Sequence, residues 1–189
     1  MWQPPKALSL VAGHGEGGSE LNAFDRALRD AGVADLNFIR VTSIVPPGAR
    51  LIDLPSYPPG ILLPAVFARI ASTRPGDVIT AALGVGLSRE RHGVVMEYSG
   101  HVGRGDAEEA ARQMVVEGFA MRGLPLDDVI VVAAEHIVER AGSAVAVALF
   151  WPEAEGLSPR ERPARASRET VAAAGHSRAA KSGAGGRPR

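Results

Sequence analysis

The sequence predicts an α+β domain, with helices layered on mostly antiparallel strands. Two stretches carry apolar residues at helical spacing, and several runs rich in Val, Ile and Ala read as strands. No alternating β-α-β series is present, which argues against a doubly wound parallel sheet. With 189 residues, 46% hydrophobic and 22% charged, the chain suits one soluble globular domain.

Leu8–Ala12 reads as a buried strand. Ser19 is the expected N-cap of a helix running to Ala31, with Leu21, Phe24, Leu28 and Ala31 on its apolar face and Gly32 as its stop. Leu36–Thr42 reads as the second strand. Residues 45–64 hold six prolines and two glycines and are expected to be an irregular connection. Pro64–Ser72 fits a strand or a short helix, and Val78–Leu87 and Gly93–Ser99 fit strands. Asp106, with Glu109 three residues on, reads as the capping box of a second helix ending near Arg122. Val129–Val138 and Ser143–Trp151 are long β-branched runs, and Glu139–Gly142 between them reads as a hairpin turn.

Zero cysteines exclude disulfides, thiolate catalysis and Fe–S clusters, and suit a cytoplasmic setting. No 18-residue apolar run is present, and the N-terminus does not read as a signal peptide. Residues 154–189 hold seven Arg and one Lys against three Glu, a net of +5 that leaves −5 on residues 1–153. This tail has few large apolar side chains and no aromatics. It is expected to be a disordered basic appendage, with neither a membrane nor a nucleic acid as partner.

Gly13-His14-Gly15-Glu16-Gly17-Gly18 matches the dinucleotide fingerprint after a strand and before a helix. The fingerprint also needs an acid at the end of the second strand, which here closes on Val41-Thr42-Ser43. The glycines are expected instead to turn tightly or to let backbone approach a neighbour closely. None of the five histidines falls in a metal-ligand spacing, and His136 reads as structural. Glu97 follows Val94-Val95-Met96 in an apolar strand, where a lone carboxylate is costly unless paired or protonated. It reads either as a strand-end charge or as a proton donor. Asp25 reads as a solvated helix charge.

Thr42-Ser43-Ile44, just before Pro46-Pro47, is either the start of a turn or a site of self-cleavage. A serine hydroxyl can attack the carbonyl before it and turn the peptide into an ester. β-Elimination then breaks the chain and leaves dehydroalanine, which hydrolyses to a pyruvoyl group.

Six stretches decide between these readings. They are Leu8–Gly13; Leu21-Asn22-Ala23-Phe24-Asp25 with Ala27-Leu28; Asn37 with Ile39–Ile44 and Pro46-Pro47; Met96-Glu97-Tyr98 with Gly100; Gly118-Phe119 with Met121–Gly123; and Glu135-His136 with Val138-Glu139. In this order, across residues 8–151, they resemble the pyruvoyl-dependent arginine decarboxylases. The resemblance implies a layered αββα sandwich, self-cleaved between Thr42 and Ser43 into two chains, with residues 1–153 as the catalytic domain. Many family members are cut at a Ser-Ser bond; Thr42 contributes only its carbonyl, so threonine should serve. The resemblance makes Ser43 the source of the pyruvoyl cofactor, with neither metal nor PLP, and Glu97 the proton donor. It makes Leu21 and Asp25 substrate contacts and Asn37 an aid to processing. It further implies L-arginine as substrate, agmatine and CO2 as products, and a homotrimer, or a multiple of one, with active sites between subunits. Asn37 and Ser43 lie six residues apart, roughly 20 Å if the strand is regular, so any help from Asn37 would come from another protomer. An unprocessed relative acting as a binding or assembly module, and a dinucleotide-binding oxidoreductase, are the two alternatives.

Overall fold

The computed structural model describes residues 3–152. The expected disordered tail, residues 154–189, lies outside the described residues. The elements run β1 (Ala7–Glu16), α1 (Glu20–Asp30), β2 (Asn37–Arg40), β3 (Ile44–Val45), β4 (Arg50–Leu51), β5 (Leu62–Ser72), β6 (Val78–Leu87), β7 (Gly93–Gly100), α2 (Arg104–Arg122), β8 (Asp128–Ile137) and β9 (Gly142–Trp151). They form a five-stranded sheet, β2-β5-β9-β1-β4, and a four-stranded sheet, β3-β7-β6-β8. Among the described residues only the β1–β4 and β2–β5 pairs are parallel.

Alternation within strands builds the layers. On β9, Ala144, Ala146 and Ala148 join Leu8 and Val66 in a core shared with Ala81, Leu83, Val85 and Val95 of the second sheet. The alternate residues Val145, Val147 and Leu149 face Ala27 of α1 and its C-cap Ala31. On the other side, Ala107 and Ala111 of α2 pack on Ala82 and Ala133, and Val115 and Phe119 pack on Val94. The order is therefore helix, sheet, sheet, helix.

Helix α1 has the expected ends. Ser19 accepts a hydrogen bond from the Asn22 amide at 3.2 Å. At the C-terminus Gly32 takes φ 79° while Val33 N–H reaches Leu28 O at 2.8 Å, the pairing that satisfies the last carbonyls. Leu21 is not in the apolar face as expected; it is 70% exposed, and the buried positions are Ala23 and Ala27. Helix α2 starts earlier than expected, with Gly103 as N-cap and Asp106 already inside its first turn. Glu135, from β8, supplies the missing acceptor by taking the Arg104 amide at 2.6 Å. Residues 45–64 are less irregular than expected, because β3, β4 and the start of β5 fall there, and Leu62–Ser72 is a strand.

The glycine fingerprint is not a phosphate loop. Gly13 and Gly15 lie within β1, paired with β9. A Cβ on Gly15 would lie 2.7 Å from Arg26 Cβ, and one on Gly13 or Gly17 would strike the α1 backbone. The glycines let α1 lie directly on its sheet, which removes the basis for the dinucleotide reading.

Glu139–Gly142 is not a hairpin either, since β8 pairs with β6 in one sheet and β9 with β1 and β5 in the other. A distant residue shapes the crossing. The Glu16 carboxylate accepts the amides of Glu139 (2.8 Å), Arg140 (3.3 Å) and Ala141 (3.0 Å), and lies 2.7 Å from His136 Nε2. His136 is thus structural, as expected. Burial alone would raise the Glu16 pKa, but the Glu139 amide, His136 and the other two amides outweigh it and bring it from 4.5 to about 2. The folded state therefore prefers the carboxylate. This stabilisation is fully present above pH 4.5 and is lost as pH falls toward 2. Glu16→Gln should cost roughly 1.5–3 kcal/mol, because three amides lose a charged acceptor. Urea unfolding of wild type and variant at pH 7 and pH 3 checks this, and the gap between them should narrow at pH 3. Among the described residues no helix is long and apolar enough to cross a membrane.

Candidate active site

Thr42 and Ser43 lie where the chain changes sheets. The strand expected over residues 36–42 stops at Arg40. Val41 N–H still reaches Ala65 O on β5 at 3.1 Å, while Ser43 O accepts Val95 N–H on β7 at 2.7 Å. The Thr42–Ser43 peptide is thus strung between an anchor on each sheet. Thr42 is exposed and Ser43 half-buried. Ile44 N–H donates back to Thr42 O at 3.0 Å, which closes a three-residue turn on Ser43. That donor points at the oxygen that would gain negative charge if the Ser43 hydroxyl added to the Thr42 carbonyl.

The register then brings Glu97 close. Ile44 pairs with Val94 and Val45 with Gly93, so Ser43 faces Val95. Glu97 is two residues beyond Val95 on β7, hence on the same face as Ser43 and its diagonal neighbour. Val45 and Val95 show which face this is, since both belong to the core between the sheets.

Glu97 has a partner. Arg40 Nη2 lies 2.9 Å from Glu97 Oε1, with the Glu97 side chain 29% exposed and Arg40 65% exposed. The Arg40 guanidinium also lies over the Phe67 ring, 4.9 Å from its centroid. Arg40, Phe67, Ala68, Arg69, Glu97, Tyr98 and Ser99 line a cavity of about 450 Å³. Ser43 is not in its wall.

The other expected site residues are elsewhere in the protomer. Asn37 starts β2, and its Nδ2 donates to Gly60 O at 2.8 Å. Leu21 and Asp25 are exposed on α1, which packs on the first sheet, whereas Glu97 belongs to the second. Arg69 links the two regions, with its guanidinium 4.1 Å from the Phe24 ring centroid. One protomer therefore assembles Thr42, Ser43, Arg40 and Glu97, but not Asn37, Leu21 or Asp25.

Residues 7–155 match the family model for pyruvoyl-dependent arginine decarboxylase. The chain belongs to that family. It is 44% identical over 149 residues to the pyruvoyl-dependent arginine decarboxylase of Methanocaldococcus jannaschii, covering 78% of this chain and 90% of that protein. The enzyme of the same name from Methanococcus maripaludis (strain C7) is 40% identical, with 79% of this chain and 93% of that protein covered. The one from Pyrococcus abyssi is 42% identical, with 80% and 98% covered. The family's name implies a pyruvoyl cofactor. Arg40, the partner of Glu97, is not among the residues expected at the site. It is the only charged residue between Leu36 and Val45, but nothing near it in sequence points to Glu97.

Proposed function

We propose that this protein cleaves itself between Thr42 and Ser43 and decarboxylates L-arginine to agmatine and CO2. Family membership supports the substrate and the reaction. The observation that carries the site is the turn on Ser43, with the Thr42 carbonyl held by Ile44 N–H and Glu97 diagonal across the strands.

The processing chemistry balances within the chain plus one water. Ser43 Oγ adds to the Thr42 carbonyl carbon, the C–N bond breaks and an ester forms. Loss of the Ser43 α-proton expels the oxygen as the Thr42 carboxylate and leaves dehydroalanine. Water converts its amine end to a ketone and releases ammonia. The fold suits this cut, since β1 pairs with β9 along its whole length and β3 pairs with β7, which gives each product chain a strand in a sheet.

A pyruvoyl carbonyl at position 43 supplies the electron sink that decarboxylation of an α-amino acid needs. Glu97, protonated on the carboxyl oxygen that Arg40 does not hold, then delivers that proton to the substrate α-carbon and recovers one from solvent. Asp25 meets the guanidinium, whose planar fork suits a carboxylate, and Leu21 covers the aliphatic stem. These two, and Asn37 for processing, come from a neighbouring protomer in a homotrimer or a multiple of one. The edge that carries Ser43 supports this, because Val41 and Ile44 are exposed there at 37% and 44%. Residues 1–153 form the catalytic domain, and residues 154–189 are appended to it. The setting is cytoplasmic.

Intact mass of the purified full chain tests the reading. Two chains of 42 and 147 residues are expected, the larger one blocked at its N-terminus and reactive toward carbonyl reagents. A single 189-residue chain after long incubation would overturn it and favour a binding or assembly module.

A further inference from the structure

We propose that Arg40 is a positioning residue, which holds Glu97 in place across the cut between the two processed chains. The inference rests on the roles of Ser43 and Glu97 given above. Arg40 lies three residues before Ser43, so cleavage leaves Arg40 on the short chain and Glu97 on the long one. Their 2.9 Å ion pair becomes an interchain contact. It also spans the sheets, because Arg40 is on β2 of the first and Glu97 on β7 of the second. The backbone crosses at this place through residues 41–43. Once that link is cut, the ion pair still ties the two flanks together here.

Several features suit Arg40 to this task. Its guanidinium is held over Phe67, and the Phe67 ring in turn lies 5.7 Å from that of Phe38. A stacked, planar cation presents its N–H groups in a fixed direction, which a flexible ammonium does not. Cleavage also creates a new carboxylate on Thr42, two residues along the chain from Arg40. Because the Arg40 side chain is 65% exposed, the pair contributes little to overall stability. Its consequence is geometric: a carboxyl left loose beside the reacting carbon is out of line for proton transfer.

Arg40→Ala, Arg40→Lys, Glu97→Gln and the double variant Arg40→Ala/Glu97→Gln form the test, with wild type alongside. Cleavage at 42/43 reports that each variant folds and processes. Arg40→Ala should process fully and lose about 10–100-fold in kcat, with KM for arginine within roughly threefold of wild type. Arg40→Lys should recover part of that loss. In the Glu97→Gln background, Arg40→Ala should cost nothing further, because it acts through Glu97. Unchanged kcat in Arg40→Ala would overturn the proposal. So would a loss that sits in KM, which makes Arg40 a substrate contact, or failure to cleave, which makes it a processing residue. Losses that multiply in the double variant would overturn it too. If wild type itself neither cleaves nor decarboxylates arginine, the underlying reading of Ser43 and Glu97 has failed instead.

Discussion

Ser43→Ala should remain one chain of 189 residues and should not decarboxylate arginine. Alanine has no nucleophile to add to the Thr42 carbonyl and no oxygen to expel in the elimination. Thr42 cannot stand in, because its hydroxyl is placed to attack the Val41 carbonyl, one bond too early. The fold should be intact, since the contacts that shape the turn are backbone ones: Val41 N to Ala65 O, Ile44 N to Thr42 O and Val95 N to Ser43 O. Unfolding by heat should therefore resemble that of unprocessed wild type, while a denaturing gel shows no cleavage and an agmatine assay shows no product. Cleavage in this variant would mean that another group cuts the chain and that Ser43 is only a turn residue.

Much of the fold was legible because its determinants are local. The Ser19 cap, the Gly32 stop and the apolar run Val78–Leu87 each depend on neighbours within a turn or a strand. The failures share one cause, a partner far away in sequence. Glu139–Gly142 has the residues of a hairpin, yet Glu16, more than 120 positions earlier, takes its amides and sends the chain to the other sheet. Gly13, Gly15 and Gly17 have the spacing of a phosphate loop, but the need they meet is close contact with α1. Asp106 looked like a cap because Glu135, the acceptor at the start of α2, lies 31 residues beyond Arg104. At the site, Ser43 and Glu97 were found as motif residues, and the β3–β7 register explains why they are neighbours. The Arg40–Glu97 pair, 57 residues apart, had no local signature. Leu21 and Asp25 lie exposed on α1, and Asn37 is bonded to Gly60 O, so no contact within the protomer joins them to Ser43.

Glu97→Gln separates processing from catalysis. Glutamine keeps the size of the side chain and can still accept a hydrogen bond from Arg40, so the β3–β7 edge and the Ser43 turn should form as before. Cleavage should therefore proceed, because its chemistry belongs to Ser43, the Thr42 carbonyl and the Ile44 amide. Turnover of arginine should fall by roughly 10²–10⁴-fold, the usual contribution of a positioned general acid. The amide has no proton of suitable acidity to give to the α-carbon. Borohydride should still fix the substrate amine to residue 43, since capture of the amine precedes the protonation step. Asp25→Asn should differ in kind. It should raise KM for arginine with less effect on kcat, because it removes a charge partner remote from the reacting carbon. Steady-state kinetics of both variants, each with cleavage confirmed by mass, decide the assignment. Near wild-type turnover by Glu97→Gln would reduce Glu97 to an ion-pair partner of Arg40, and the proton would have to come from Tyr98 or from water.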